Sequence, residues 1–347
     1  IMAEYISFQP SDFFSPTIYT GNGVAYASGG NAITGVGFQP ALTWIKCRTV
    51  GEDHVVTDAV RGVTKIIRPN GTYAESTATE GLNVFGSDGF TLGNSSQFNE
   101  NTEDFISWNW KMGTTSGLTG GTITPSAYSI NTTAGQSIIA YTGTGSVATI
   151  PHGLAATPGL IITKSLVATQ EWCVYHKSLG ATKYIFLNET SASGTSSAYY
   201  NDVEPTSTLF TIGTAGPTNS SSAMIAYCFT SITGYSKFGT YLGNGNADGM
   251  FVNTGFRPAY VLIKKTNGTG SWWVFDDKRL GYNPATYRLY ADAGTVENTT
   301  AVIDFVSNGF KLRTTDGDLN GDGNNIIYAA FAEFPTVSSN DVPGVAR

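Results

Sequence analysis

Charge is what this chain has least of. Asp, Glu, Lys and Arg make up 13% of its 347 residues, about half the usual globular share of about 25%. The formal charge is −7, and the basic residues form no cluster. Affinity for nucleic acid comes mostly from basic side chains that neutralise phosphates, so no nucleic-acid partner is expected. Cysteine is scarce too: Cys47, Cys173 and Cys228 are odd in number and include no Cys-x-x-Cys pair. That excludes a disulfide framework and reads as free buried thiols. His54, His152 and His176 are scattered and lack zinc-site spacing. No apolar run approaches the roughly 20 residues that a membrane-crossing helix needs, so no membrane span is expected. The opening Ile1-Met2-Ala3-Glu4-Tyr5 has neither the basic nor the apolar stretch of a secretory signal. Gly-x-Ser-x-Gly, P-loop and His-Glu-x-x-His signatures are missing. The adjacent carboxylates Asp276 and Asp277 would point apart on a strand. The chain is therefore expected to be non-enzymatic, with no required cofactor.

Glycine and aromatics are abundant: 41 glycines, and 12% Phe, Trp and Tyr. High aromatic content with low charge density excludes a disordered chain. The surplus of Gly, Thr, Ser and Asn excludes a long coiled coil. Short runs rich in Val, Ile, Tyr, Phe and Trp, bounded by Gly, Asn and Pro, indicate an all-β protein of two or three domains.

A threefold repeat organises these runs. Tyr19-Thr-Gly-Asn-Gly23, Tyr141-Thr-Gly-Thr-Gly145 and Tyr241-Leu-Gly-Asn-Gly245 each precede a proline that opens an apolar run ending in lysine. The pairs are Pro40 and Lys46, Pro158 and Lys164, and Pro258 and Lys264, six residues apart each time. Eighteen residues past each proline stand Asp58, His176 and Asp276, and 50, 52 and 52 residues past it stand Phe90, Phe210 and Phe310. Apolar runs at 105–110, 224–229 and 326–331 close the units. The expected architecture is three tandem homologous β-sandwich domains, lectin-like or jelly-roll. They cover 17–112, 137–231 and 237–334, with an N-terminal anchoring segment 1–16, a Gly/Thr/Ser-rich linker 113–136 and a C-terminal tail 335–347. The short second junction predicts rigid docking of units two and three, and the long linker more freedom for unit one. Asp58, His176 and Asp276 read as caps on single helical turns that glycine stops.

Two features could carry a ligand. Asp316-Gly-Asp318-Leu-Asn320-Gly-Asp322 matches the first half of a calcium loop, with oxygen side chains at alternate positions and Gly at the sixth. Its twelfth position is Ile327 where a bidentate Glu belongs, so a plain turn is the competing reading. Trp272 and Trp273 are adjacent on one strand and face opposite ways. An outward ring there would stack on a sugar; the competing reading buries both.

The strings ISFQPSDFF (6–14), ITGVGFQP (33–40), DAVRGVTK (58–65), GSDGFTLG (86–93), SWNWK (107–111), IPHGL (150–154), GYSKFGTYLGNGNADGMFVNTGFRP (234–258) and SNGFKLR (307–313) carry a resemblance over nearly the whole chain. It resembles a family of virion-associated proteins of tailed bacteriophages, many of them marine or infecting cyanobacteria. The resemblance implies a concanavalin-type sandwich, a place on the virion surface and synthesis in the host cytoplasm. It supplies no catalytic residues. The leading expectation is a tail-fibre or receptor-binding component that contacts host-surface carbohydrate. The alternative is a capsid decoration or head-fibre protein. A homo-oligomer, a trimer by analogy with attachment fibres, and contacts with other phage structural proteins are expected. Phe8, Phe13 and Phe14 would suit anchoring to the virion.

Overall fold

The computed structural model of the protein describes residues 8–279 and 283–335. The apolar runs form antiparallel strands, and one strand order recurs in each third of the chain. In the first third the order is Phe14–Thr20, Asp104–Trp110, Leu42–Cys47, Val55–Asp58. In the second it is Gln136–Thr142, Ala223–Phe229, Leu160–Ser165, Cys173–His176. In the last it is Ser236–Leu242, Asn325–Pro335, Phe256–Lys265, Trp272–Asp276. Each Pro-to-Lys run thus holds the same central place, between the last strand of its third and the strand that ends in Asp58, His176 or Asp276. Shorter strands cover one face: Asn31–Ile33 pairs with Gly89–Leu92, Ala148–Pro151 with Leu209–Ile212, and Phe251–Asn253 with Gly309–Leu312. In the last third, Ala285–Tyr290 and Asn298–Val306 join both layers into one eight-stranded sheet.

The central strands are apolar on both faces because each face meets a core. On one side each third has its own, around Ile45 and Phe90, Ile139 and Phe210, and Val261 and Phe310. On the other side all three sheets share a single core. It joins Phe14 and Trp108 of the first third, Trp172 and Tyr227 of the second, and Tyr260, Trp272 and Phe331 of the last. At about 25 cal/mol per Å² of apolar surface removed from water, this shared face dominates the attraction between thirds. Greater freedom for the first third is accordingly not what the structure shows. Phe14 stacks on Phe331 at 5.1 Å and Trp110 lies 6.2 Å from Phe229. The apolar face, not the length of the connecting segment, decides the docking.

That segment is also more than a linker. Ala127–Asn131 adds a strand beside Gln136–Thr142, and Ile123 and Ile130 are buried in the second core. The anchoring role expected of Phe8, Phe13 and Phe14 is corrected. Phe14 opens the first strand and is buried, Phe8 packs edge-on to Phe13 and Tyr235, and the Lys111 ammonium lies 5.6 Å over the Phe13 ring. Phe14 is spent inside the molecule, and Phe8 and Phe13 pack half-buried against the shared core. Residues 1–7 of the expected anchor and 336–347 of the expected tail lie outside the described residues.

The Tyr-x-Gly loops recur for a physical reason. Tyr19, Tyr141 and Tyr241 donate their hydroxyls to the carbonyls of Phe98, Thr218 and Leu319. The next residue each time is a buried asparagine, Asn99, Asn219 or Asn320, whose side chain ties the loop from both ends. A Cβ on Gly143 would collide with the Ser220 carbonyl, which explains the glycine two residues after the tyrosine. Asn219→Ala leaves the Thr144 N–H and the Gly213 carbonyl without their partner. The variant is expected to lose about 1–3 kcal/mol, and hydrogen exchange at 143–146 should accelerate before that of the sheet.

Candidate functional site

The three thirds meet in a ring, and one set of contacts is built three times around it. The residue at the end of the fourth strand reaches the next third. Tyr227 donates to Asp58 Oδ2 (2.7 Å), His176 Nε2 to the Tyr328 carbonyl (3.1 Å), and Trp108 Nε1 to Asp276 Oδ2 (3.1 Å). Backbone N–H groups of Glu75, Ser193 and Glu297 cross the same junctions to the carbonyls of Leu166, Thr266 and Arg48. The contacts run from first third to second, second to last, and last to first.

The lysines and a row of ring nitrogens answer from the other side. Lys164 Nζ donates to the Thr72 carbonyl (3.1 Å), Lys264 to Thr190 (2.9 Å) and Lys46 to Gly294 (3.3 Å). Trp172 Nε1 donates to the Arg68 carbonyl, Trp272 Nε1 to Phe186 and His54 Nε2 to Tyr290. Each lysine is buried, and burial lowers its pKa to about 8, so it remains charged at neutral pH. A charged donor to several carbonyls is about twice as strong as a neutral one. The lysines that mark the repeats are therefore clasps between them.

Two of the three junctions are plugged by a buried ion-pair cluster. At the first, Arg61 binds Asp58 (2.6 Å) and Glu75 (3.3 Å) and donates to the Val56 carbonyl. At the last-to-first junction, Arg279 binds Asp276 (2.7 Å) and Glu297 (3.0 Å) and donates to the Val274 carbonyl. At the second junction the corresponding residues are His176, Leu179 and Ser193, and Ala329 stands where Trp108 and Tyr227 stand. The ions and the large ring are all missing there. What remains is a cleft of about 470 Å³ lined by Ser178, Leu179, Lys183, Ala192, Ser193, Thr240, Thr266, Asn267, Asn325 and Ile327.

A protein-family model matches residues 9–335, which span all three thirds and every junction. The chain belongs to this family, a domain of unknown function designated DUF7483. No curated protein and no solved structure matches it.

In this DUF7483 chain the residues singled out from sequence serve the fold. Trp272 is buried in the shared core and Trp273 in the core of the last third, so neither offers a face to a sugar. The sugar-stacking expectation fails because both sides of their strand are covered. The Arg288 guanidinium lies 4.3 Å over the Trp273 ring, filling the remaining aromatic face. The calcium expectation is corrected as well. Asp316 Oδ1 accepts from the Asp318 amide, Asp318 is paired with Lys265 (2.9 Å), and Asn320 is the third copy of the buried loop-tying asparagine. Asp322 makes no converging contact with them; its Cβ lies beside Gly245. The oxygens are turned onto donors of the protein, and among the described residues no three His, Cys, Asp or Glu side chains gather as metal ligands. Asp58 and Asp276 do cap the turns that follow, accepting from the amides of Val60 and Arg61, and of Lys278 and Arg279. The three cysteines are free and buried. No helix among the described residues is long and apolar enough to cross a membrane.

Sequence reasoning missed the open junction, although a signal was present. Three residues past Asp58, His176 and Asp276 stand Arg61, Leu179 and Arg279. The middle copy loses its acid and its arginine together, as expected of partners in one cluster.

Proposed function

We propose that this chain is a non-enzymatic surface protein of a tailed-phage particle, built as three tandem β-sandwiches closed into a rigid three-lobed body. The strings quoted above support the particle, and the ring of repeated junctions supports the structural role. Lys46, Lys164, Lys264, His54, His176, Trp108, Trp172 and Trp272, residue types that elsewhere do chemistry, are here consumed in joining the lobes. Capsid decoration or a head fibre asks for such a body, since load must pass between lobes without hinge motion. A homotrimer is one arrangement of this surface; a single chain seated on a threefold position is the other, because the ring already supplies threefold order. Light-scattering mass separates them, at one or three times 36.7 kDa.

Contact with host-surface carbohydrate is the second reading, and the open second junction favours it. Immunogold labelling of intact particles with antibodies to this chain is the test. Label at the tail tip supports receptor contact, and label spread over the head supports decoration. Particles that carry no label would refute both.

A further inference from the structure

The second junction differs from its two counterparts by a concerted loss, and the loss creates groups without partners. Lys183 occupies the register position of Lys65: Lys65 pairs across from Thr77, and Lys183 from Thr195. Lys65 donates to Thr77 (2.9 Å) and reaches the Glu75 carboxylate at 4.0 Å. The counterpart of Glu75 is Ser193, and among the described residues the Lys183 ammonium has neither an ion pair nor a hydrogen-bond acceptor. The Ser178 hydroxyl, the Asn325 carboxamide and the Asn267 amide nitrogen also face the cleft without internal partners. Thr240, Thr266 and Ser193 spend their hydroxyls on the protein's own carbonyls, so they shape the wall and leave the recognition to the others. Leu179 and Ile327 add apolar surface.

We propose that this cleft binds an acidic saccharide, a uronic acid being the simplest member of the class. Its volume lies in the range of small-ligand sites, about 300–1,000 Å³. Hydroxyls on the sugar match the carboxamides and the serine, the carboxylate pairs with Lys183, and the apolar face of the ring meets Leu179. The other two junctions cannot take such a ligand, because Arg61 and Arg279 with their carboxylates already fill the equivalent space. The inference rests on the surface-protein reading only for the source of the sugar. Titration in solution can fail while particle labelling succeeds, and the reverse.

The test is calorimetric titration of the purified full chain with digalacturonate and, separately, with the neutral disaccharide galactobiose. Digalacturonate should bind at least about tenfold more tightly, a difference that added salt reduces. Lys183→Gln should remove that preference. The triple variant His176→Asp, Leu179→Arg, Ser193→Glu transplants the plug of the other junctions and should abolish binding. Equal binding of the two sugars, binding of neither at millimolar concentration, or a preference that survives Lys183→Gln would overturn the proposal. Lys183 is not buried, so its variant decides the matter even if the triple variant does not fold.

Discussion

Asp276→Ala is expected to lower the free energy of unfolding by about 3–5 kcal/mol, measured by denaturant titration at neutral pH. The carboxylate and the Arg279 guanidinium are both fully buried, 2.7 Å apart. Removing the acid leaves a cation in a low-dielectric interior with only Glu297 to balance it, and Glu297 is shared with Arg48 at 2.8 Å. It also strips the Trp108 indole N–H of its acceptor in the middle of the shared core. Asp58→Ala should behave alike, because Arg61 and Tyr227 depend on it in the same way. His176→Ala, at the junction without an arginine, strands no charge and should cost less. A ranking in which the histidine variant is the most destabilised would contradict this account of the junctions.

The second large effect is acid lability between about pH 6.5 and 4. In all three histidines Nδ1 accepts and Nε2 donates. Trp44, Leu154 and Ser178 donate to Nδ1 of His54, His152 and His176, while the carbonyls of Tyr290, Thr206 and Tyr328 accept from Nε2. A second proton would set two donors against each other. Burial pulls the folded pKa of His152 and His176 down to about 4, and that of His54 well below 6.5, with Lys46 and Arg279 adding to the fall at His54. Below its ordinary pKa of 6.5 the unfolded chain takes up protons that the folded chain refuses, so stability is lost as pH falls through this window. Asp277 acts in the opposite direction. Burial raises its carboxyl to about 7, so it holds a proton that the unfolded chain releases. Asp292, whose carboxyl burial also raises, opposes the histidines in the same way. His176→Gln should remove one proton from the slope. A denaturation midpoint that stays constant from neutral pH to the acid end of the window would refute the scheme.

Much of the fold was legible because it is local. Strand runs, their bounding glycines and the fixed Pro-to-Lys spacing report backbone preferences that hold wherever the segment packs. The capping role of Asp58 and Asp276 was legible for the same reason, since acceptor and donors lie within three residues. What could not be read was the closure. Trp272 looks the same in sequence whether it faces solvent or a neighbouring lobe, and only the third-dimensional partner, the Phe186 carbonyl, distinguishes the two. The Asp316–Asp322 run misled in a related way. Asx geometry suits a calcium loop and a tight turn equally, and the deciding residue, Lys265, lies about fifty residues away. Phe14 stands ahead of the first repeat motif, where the sequence alone reads as external, yet the edge strand begins there.

The open junction also shows what covalent continuity permits. In a ring of three separate identical chains, every substitution appears at all three interfaces at once. Replacing the buried arginine and its acids would then have removed all three plugs together and put the whole ring at risk. With the lobes joined in one chain, Leu179 and Ser193 could replace their charged counterparts at one interface while Arg61 and Arg279 continued to hold the other two. Fusion thus decouples the copies: two keep the assembly together and leave the third free to diverge.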